Sequence, residues 1–184
     1  MKIPRNKVLL AAAVIFIAAG VVSCEKIKDA AQFDLLYEVP EATIGLDSTL
    51  IEVADNEQVM VQKEIYISLD SIRRKHDLDS FKEAKFDYIR IEVVTPASAD
   101  LKFISKLKAT VMAPGIAETE VASYTGNGTA GKTIDMVLED SPITPFLMNE
   151  RFTLRVYARF APPLPASTVT VKLNSRIRIT VQPL

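Results

Sequence analysis

The C-terminal stretch at residues 168–182, TVTVKLNSRIRITVQ, decides the fold of this 184-residue chain. Every second residue from Val169 to Val181 is apolar, with Ser175 as the exception, and the residues between them are polar or charged. Strict alternation over this length is typical of a β-strand with one buried and one solvent-facing side. Residues 151–160, RFTLRVYARF, alternate in the same way just upstream. Because prolines at 162, 163 and 165 cannot continue a central strand, we predict a β-hairpin with a proline-rich loop.

Shorter runs with the same period lie upstream, separated by turn-forming residues such as Pro96 and Pro142. They cover residues 33–39, 57–69, 86–95, 105–113, 118–124 and 132–139, and residues 48–54 allow one more short strand. Only 70–76 has a helical pattern, with Asp70 as its N-cap, and 142–149 allows one further turn. The sequence therefore predicts an all-β fold, an antiparallel immunoglobulin-like β-sandwich of about eight or nine strands with one short helix near 70–76.

The N-terminal 23 residues have the pattern of a secretion signal. Three basic residues and no acid lie among the first seven, and residues 8–22 are apolar or small. The run ends in Val21-Val22-Ser23-Cys24, which resembles the lipobox of bacterial lipoproteins. This resemblance implies cleavage after Ser23, attachment of diacylglycerol to the Cys24 thiol and acylation of the new N-terminus.

Cys24 is the only cysteine in the chain. An uncleaved transmembrane anchor is the alternative, but 15 residues span about 22 Å, less than the roughly 30 Å hydrocarbon core. A secreted domain with one thiol has no internal disulfide, and lipidation accounts for the leftover cysteine. We predict a signal peptide at 1–23, a tether at 24–32 and a single β-sandwich domain at 33–184.

The charge balance argues against a nucleic-acid partner. Three of the 22 basic residues lie in the signal, so the mature chain has 19 basic and 23 acidic residues and a net charge of about −4. A protein that binds nucleic acid usually carries a basic surface that neutralises phosphates.

The residues from Gly126 to Thr133, GNGTAGKT, fit the P-loop pattern G-x-x-x-x-G-K-[ST]. A P-loop needs a buried strand before it and a helix after it, whereas residues 118–123 are polar and the surrounding pattern is antiparallel β. Glycine and asparagine also suit a hairpin turn, because they tolerate positive φ. We predict a glycine-rich hairpin loop that binds no nucleotide.

Candidate residues for catalysis or metal binding are few. His76 is the only histidine, no G-x-S-x-G elbow accompanies it, and Cys24 is committed to lipid. One histidine and one committed cysteine exclude an ordinary zinc site. Two acidic pairs offer oxygens to Ca²⁺ without the EF-hand spacing, namely Asp77 with Asp79 and Asp55 with Glu57. We predict no cofactor and no catalytic set.

The predicted hairpin has a basic outer side. Basic side chains from its two strands would face each other directly, which is unfavourable unless acids lie beside them. An adjacent strand could supply the acids, for example Glu92, in a solvated ladder. The alternative is a binding face for an acidic partner or a glycan, with Tyr157 as a stacking platform. The residues of this predicted face are Arg151, Arg155, Tyr157, Arg159, Lys172, Arg176 and Arg178.

The order of elements resembles a lipoprotein family. Residues 67–94 give a strand, a short helix and an amphipathic strand, followed by the Phe-Ile-Ser turn at 103–105 and the two C-terminal strands. This order resembles the small, largely uncharacterised β-sandwich lipoproteins of Bacteroidota, some of which accompany outer-membrane transporters. The resemblance implies an outer-membrane location, on the periplasmic or the cell-surface side, with Ser48 and Ser71 as candidate O-glycosylation acceptors.

The sequence thus favours a non-enzymatic binding or accessory lipoprotein whose partner is an outer-membrane protein complex or a glycan. An envelope- or polymer-degrading hydrolase is the alternative, since two carboxylates can converge in the fold without being adjacent in sequence. A structural spacer without a ligand is the third possibility.

Overall fold

The computed structural model describes residues 32–47, 56–161 and 164–183, and nine β-strands and two helices lie in this part of the chain. The strands are β1 (Phe33–Asp47), β2 (Gln58–Tyr66), β3 (Leu78–Thr95), β4 (Ile104–Ala113), β5 (Ile116–Thr125), β6 (Thr133–Asp135), β7 (Val137–Leu138), β8 (Arg151–Phe160) and β9 (Thr168–Pro183). The helices are α1 (Leu69–His76) and α2 (Thr144–Leu147). The predicted strand at 48–54, the signal segment and Cys24 lie outside the described residues.

The strands form two sheets, and all the pairings are antiparallel. Sheet A has the order β1-β9-β3-β6, and sheet B has the order β2-β8-β4-β5-β7. The apolar sides of both sheets contribute to one buried core. The predicted antiparallel β-sandwich is confirmed, and so are the short helix near 70–76 and the turn within 142–149.

The predicted hairpin of the last two strands is wrong. β8 lies between β2 and β4 in sheet B, whereas β9 lies between β1 and β3 in sheet A. Alternation shows that a run is a half-buried strand, but a strand in either sheet has the same alternation. The chain therefore crosses from one sheet to the other between β8 and β9.

The alternation does identify the buried side chains correctly. On β9, the inward residues from Val169 to Val181 are at most 3% exposed, and Ser175 is the polar one among them. On β8, Phe152, Leu154 and Val156 are buried in the same way. Burying one such aliphatic or aromatic side chain contributes about 1.5–3 kcal/mol, so these two central strands provide much of the driving force for folding.

The N-cap of helix α1 lies two residues earlier than predicted. Ser68 is the N-cap, since its Oγ accepts a hydrogen bond from the Ser71 backbone N–H at 3.3 Å. Asp70 lies in the first turn, where its negative charge interacts favourably with the positive end of the helix dipole. The prediction of Asp70 as N-cap was wrong because serine and aspartate serve equally well at that position. In the described ranges, neither helix is long and apolar enough to cross a membrane.

One end of the sandwich is where the chain enters the domain. Phe33 at the start of β1 pairs with Val181 near the end of β9. The Tyr37 hydroxyl donates to the Tyr66 carbonyl oxygen at 3.2 Å, so the end of β2 lies close by. Tyr66 pairs with Arg151 at the start of β8, and α1 follows β2. We call this the entry end, and we call the opposite end, where β3 finishes and β9 begins, the far end.

Candidate functional site

The seven residues of the predicted basic face lie on two separate outer surfaces. Sheet B carries the four residues from β8, which are Arg151, Arg155, Tyr157 and Arg159. Sheet A carries the three residues from β9, which are Lys172, Arg176 and Arg178. The predicted single face is therefore wrong, because it depended on the hairpin.

On sheet A, acids of the neighbouring strands surround the basic residues. Lys172 Nζ lies 3.0 Å from Glu92 of β3 and 3.5 Å from Glu41 of β1. The remaining ion pairs of this ladder join Arg176 to Glu38 and Asp87, and Arg178 to Asp34 and Asp87. The prediction that adjacent acids, Glu92 among them, compensate these charges is confirmed.

On sheet B, the three arginines of β8 have different surroundings. Arg151 Nε lies 3.5 Å from Glu64, and both side chains are well exposed. Arg155 donates from Nε and Nη2 to Gln62 Oε1, at 3.2 and 3.0 Å. The Nε of Arg159 is buried and has no hydrogen-bond partner within the described ranges. The three arginines of β8 therefore do not form one cluster.

Tyr157 lies within this polar network. Lys108 Nζ is 4.7 Å from the centroid of the Tyr157 ring, which is a cation–π distance. The hydroxyl donates to Glu118 Oε1 at 3.0 Å and accepts from Arg155 Nη1 at 3.1 Å. A sugar that stacks on the lysine-covered face of Tyr157 must therefore displace the Lys108 ammonium.

Glu118 is held in its charged form. Thr110 Oγ1 donates to Glu118 Oε1 at 2.6 Å, and this hydrogen bond is the main reason why the pKa of Glu118 lies below its ordinary value. Desolvation raises the pKa, whereas the Tyr157 hydroxyl and the nearby Arg155 and Lys108 charges lower it further. A carboxylate of this kind stays ionised and cannot act as a proton donor at neutral pH.

Glu57, which directly precedes β2 of sheet B, has a strongly lowered pKa. Its two carboxylate oxygens lie 2.7 Å from Lys106 Nζ and 2.8 Å from Lys108 Nζ. The hydrogen bonds from Lys106 and Lys108 lower the pKa of Glu57 from 4.5 to about 2. Sequence patterns missed this cluster, because 49 residues separate Glu57 from Lys106 and only the strand order brings them together.

Replacing Glu57 should weaken the fold at neutral pH but not in acid. A lowered pKa stabilises the folded state above the ordinary value of 4.5, and this contribution is lost as the pH falls through about 2. Solvent screens a surface cluster, so we expect Glu57→Gln to reduce the free energy of unfolding at pH 7 by about 1 kcal/mol. Denaturant titrations across the acid range measure the difference.

The matched control for this prediction is Glu64→Gln. The Glu64 side chain is 61% exposed and its carboxylate lies 3.5 Å from Arg151 Nε, so its loss should matter much less. An equal loss in both variants, or a Glu57→Gln effect that persists at pH 2, would contradict the prediction.

An open acidic depression lies at the edge of sheet B. Its volume is about 530 Å³, and its lining residues are Glu118, Thr119, Glu120, Glu139 and Ser141. Ser123 Oγ lies 3.5 Å from Glu139 Oε1. No group of three or more His, Cys, Asp or Glu residues in the described ranges is arranged to hold a metal ion.

Each predicted Ca²⁺ pair has one member whose side chain lies outside the described part of the chain. The carboxylate of Glu57 is bonded to two lysines, and its predicted companion Asp55 lies outside the described residues. Asp77 is the C-cap of α1 with a left-handed backbone at φ 49°, and the Asp79 side chain is not among the described ones. The lysines thus supply the cations that satisfy Glu57.

The residues from Gly126 to Thr133 form a loop that joins β5 in sheet B to β6 in sheet A. The predicted hairpin is wrong here too, since β6 pairs with β3. The Gly126 N–H donates to the Ser105 carbonyl, and the Gly131 carbonyl accepts from the Leu101 N–H. Backbone hydrogen bonds to the segment at 101–105 therefore hold both ends of the loop. Strand β6 begins at Thr133, where a P-loop requires a helix.

His76 lies beside a small apolar groove between β1 and α1. The groove has a volume of about 240 Å³ and is lined by Leu35, Leu36, Tyr37, Ser71, Ile72, Lys75, His76 and Ile179. A serine and a histidine therefore share one groove, but no carboxylate is among its lining residues to orient the imidazole. Ser71 is exposed on α1, and Ser48 lies outside the described residues.

No protein-family model and no curated protein matches the sequence. Among solved structures, the chain is similar to one described as Desmodium yellow mottle tymovirus, with a TM-score of 0.27 and 14% identity. The match covers 83% of this chain and 90% of that one. A likeness at this level adds nothing on function.

Proposed function

We propose that this chain is an extracytoplasmic lipoprotein of the outer membrane, anchored through Cys24, that binds or assists a partner without catalysing a reaction. The observation that carries the proposal is the quartet Val21-Val22-Ser23-Cys24, at the end of an apolar run and nine residues before β1. A cleaved signal and a short tether before an independently folding β domain are what an anchored binding module requires.

The paired charges of the outer surfaces argue against a catalytic role for these groups. Most basic side chains of both sheets are bonded to acids of neighbouring strands, as Lys172 is to Glu92 and Lys106 is to Glu57. Groups used in this way make a rigid and hydrated surface, whereas catalysis needs acids and bases poised to exchange protons. A protein complex or a glycan of the outer membrane is the partner class we propose.

The anchor is tested with Cys24→Ala in cells fed a radiolabelled fatty acid. We expect the unmodified chain to carry the label and to sediment with membranes, and the variant to lose both properties, because no other thiol is present. Glu25→Ala keeps the thiol and serves as the control. Label on Cys24→Ala, or an unlabelled soluble form of the unmodified chain, would refute the anchor.

The binding role is tested by isolating the native protein from detergent-solubilised envelope. Enrichment of one membrane protein or one glycan supports it, and protease treatment of whole cells shows which side of the membrane the domain faces. Recovery only as a free monomer would argue for the structural spacer instead.

The acidic depression at Glu118, Glu120 and Glu139 is the observation that keeps the hydrolase alternative open. Two nearby carboxylates of different pKa can cleave a glycosidic bond, and Glu118 has the lowered pKa of the charged partner. Release of reducing ends from envelope polysaccharide, lost in Glu118→Gln and Glu139→Gln but kept in Glu64→Gln, would establish this alternative and overturn the binding proposal.

A further inference from the structure

We infer that the entry end of the domain is a membrane-contacting surface that docks on anionic lipid headgroups. The inference rests on the proposed anchor at Cys24 and adds an orientation to it: the domain lies with its entry end against the bilayer and its far end away from it.

Exposed apolar side chains gather at the entry end. Among the described residues, seven large apolar side chains are exposed, and four of them belong to this end. These four are Phe33 (39%), Leu36 (56%), Tyr66 (57%) and Met148 (53%). Met148 follows α2 and lies three residues before β8 begins at the same end. Aromatic and aliphatic side chains that are exposed together at one end suit the boundary between headgroups and acyl chains.

Two grooves at the same end add apolar surface. One is the groove of about 240 Å³ between β1 and α1. The other has a volume of about 450 Å³ and is lined by Glu64, Met112, Ala113, Pro114, Asn149, Arg151, Phe152 and Thr153. Tyr37 of the first groove donates to the Tyr66 carbonyl oxygen, and Arg151 of the second pairs with Tyr66, so both grooves lie near this residue. Their linings add apolar side chains such as Leu36 and Met112 to the entry end, beside the Glu64–Arg151 ion pair.

The last turn of α1 supplies the positive charge. Arg73, Arg74 and Lys75 are exposed, and none of the ion pairs found within the described ranges involves them. The helix and its cap contain two acids, Asp70 and Asp77, against these three cations. Each basic residue near an anionic bilayer contributes about 1 kcal/mol of attraction. The excess of positive charge on α1 therefore favours binding to anionic headgroups over neutral ones.

The predicted tether is short enough to keep the entry end near the membrane. Phe33 lies nine positions after Cys24, and a fully extended chain of this length spans at most about 30 Å. An anchored Cys24 therefore keeps the entry end close to the headgroups at all times, while the far end lies one strand length further out. The tether gives the entry end a high local concentration at the membrane surface, so weak contacts are sufficient to orient the domain.

Tryptophan fluorescence tests the orientation cleanly, because the chain contains no tryptophan. The full acylated chain carrying Leu36→Trp is reconstituted into vesicles of brominated phosphatidylcholine and phosphatidylglycerol in equal parts. Val94→Trp is the matched control, since Val94 is 49% exposed and lies at the far end. We expect the bromines to reduce the emission of Leu36→Trp by roughly twofold or more and to leave that of Val94→Trp nearly unchanged.

A charge variant tests the headgroup contact itself. In the Leu36→Trp background, replacing Arg73, Arg74 and Lys75 with glutamine should abolish the difference between vesicles with and without phosphatidylglycerol. If Leu36→Trp disturbs the fold by circular dichroism, Met148→Trp replaces it as the entry-end probe.

Flotation of the vesicles separates the two proposals. A chain that floats with the vesicles but shows equal quenching at both ends keeps the anchor and overturns the docking surface. A chain that carries no acyl group and does not float overturns the anchor, and the docking surface with it.

Discussion

Phe152→Ala is expected to lower the free energy of unfolding by about 3–5 kcal/mol, which is a large share of the stability of a single domain. Phe152 is 2% exposed on the inner side of β8, next to Ile65 of β2, and it belongs to the core cluster. Its truncation removes buried apolar area and leaves a cavity between two packed sheets that cannot close completely. Denaturant unfolding followed by circular dichroism measures the loss.

The matched control is the same substitution at Phe33. This side chain is 39% exposed at the start of an edge strand, so Phe33→Ala should cost less than about 1.5 kcal/mol. Similar losses for the two variants would mean that the inner side of β8 is not where the sandwich core lies.

Gly126→Ala is expected to destabilise the domain by about 1–3 kcal/mol. A Cβ at this position would lie 2.7 Å from the Ile104 carbonyl oxygen and 3.2 Å from the Tyr124 ring. The clash is with backbone, and the Gly126 N–H is already bonded to the Ser105 carbonyl, so the loop cannot move aside easily. The first glycine of the P-loop-like sequence is thus required for close packing.

Gly131→Ala is the control, since a Cβ there would meet nothing within 4 Å. We expect it to change the thermal midpoint very little. The glycines of a P-loop are needed for close approach to phosphate, so a nucleotide-binding role would predict instead that Mg-ATP stabilises the unmodified chain and that Gly131→Ala abolishes this effect. That outcome would contradict the packing explanation.

The period of two in the sequence was sufficient to predict the fold class and most of the inward and outward residues. On β9 it separated Val169 from Thr170 and Ile177 from Arg178 correctly, because the alternation is a local property of a half-buried strand. It could not predict that β8 and β9 lie in different sheets. Pairing is decided by contacts across the whole chain, and both positions give the same local pattern.

The polar clusters were less predictable for the same reason. Alternation places Lys106 and Lys108 on the outer side of β4, but nothing local indicates that Glu57 meets them. For Lys172, the sequence suggested Glu92 as a partner, and the structure has this pair because β9 lies beside β3. The rule that like charges need neighbouring acids was therefore reliable, while most of the particular partners depended on the strand order.

The central position of β9 has a consequence for how the domain matures. β9 is the latest of the nine strands to be synthesised, yet it joins β1 to β3, with bonded side chains as distant as Asp34 and Thr180, 146 residues apart. Until β9 emerges, β1 and β3 each present a free hydrogen-bonding edge, which is a template for aggregation. Such long-range closure is also slow. On the export route that we propose, the N-terminus emerges first, so both edges stay unpaired until the last strand arrives.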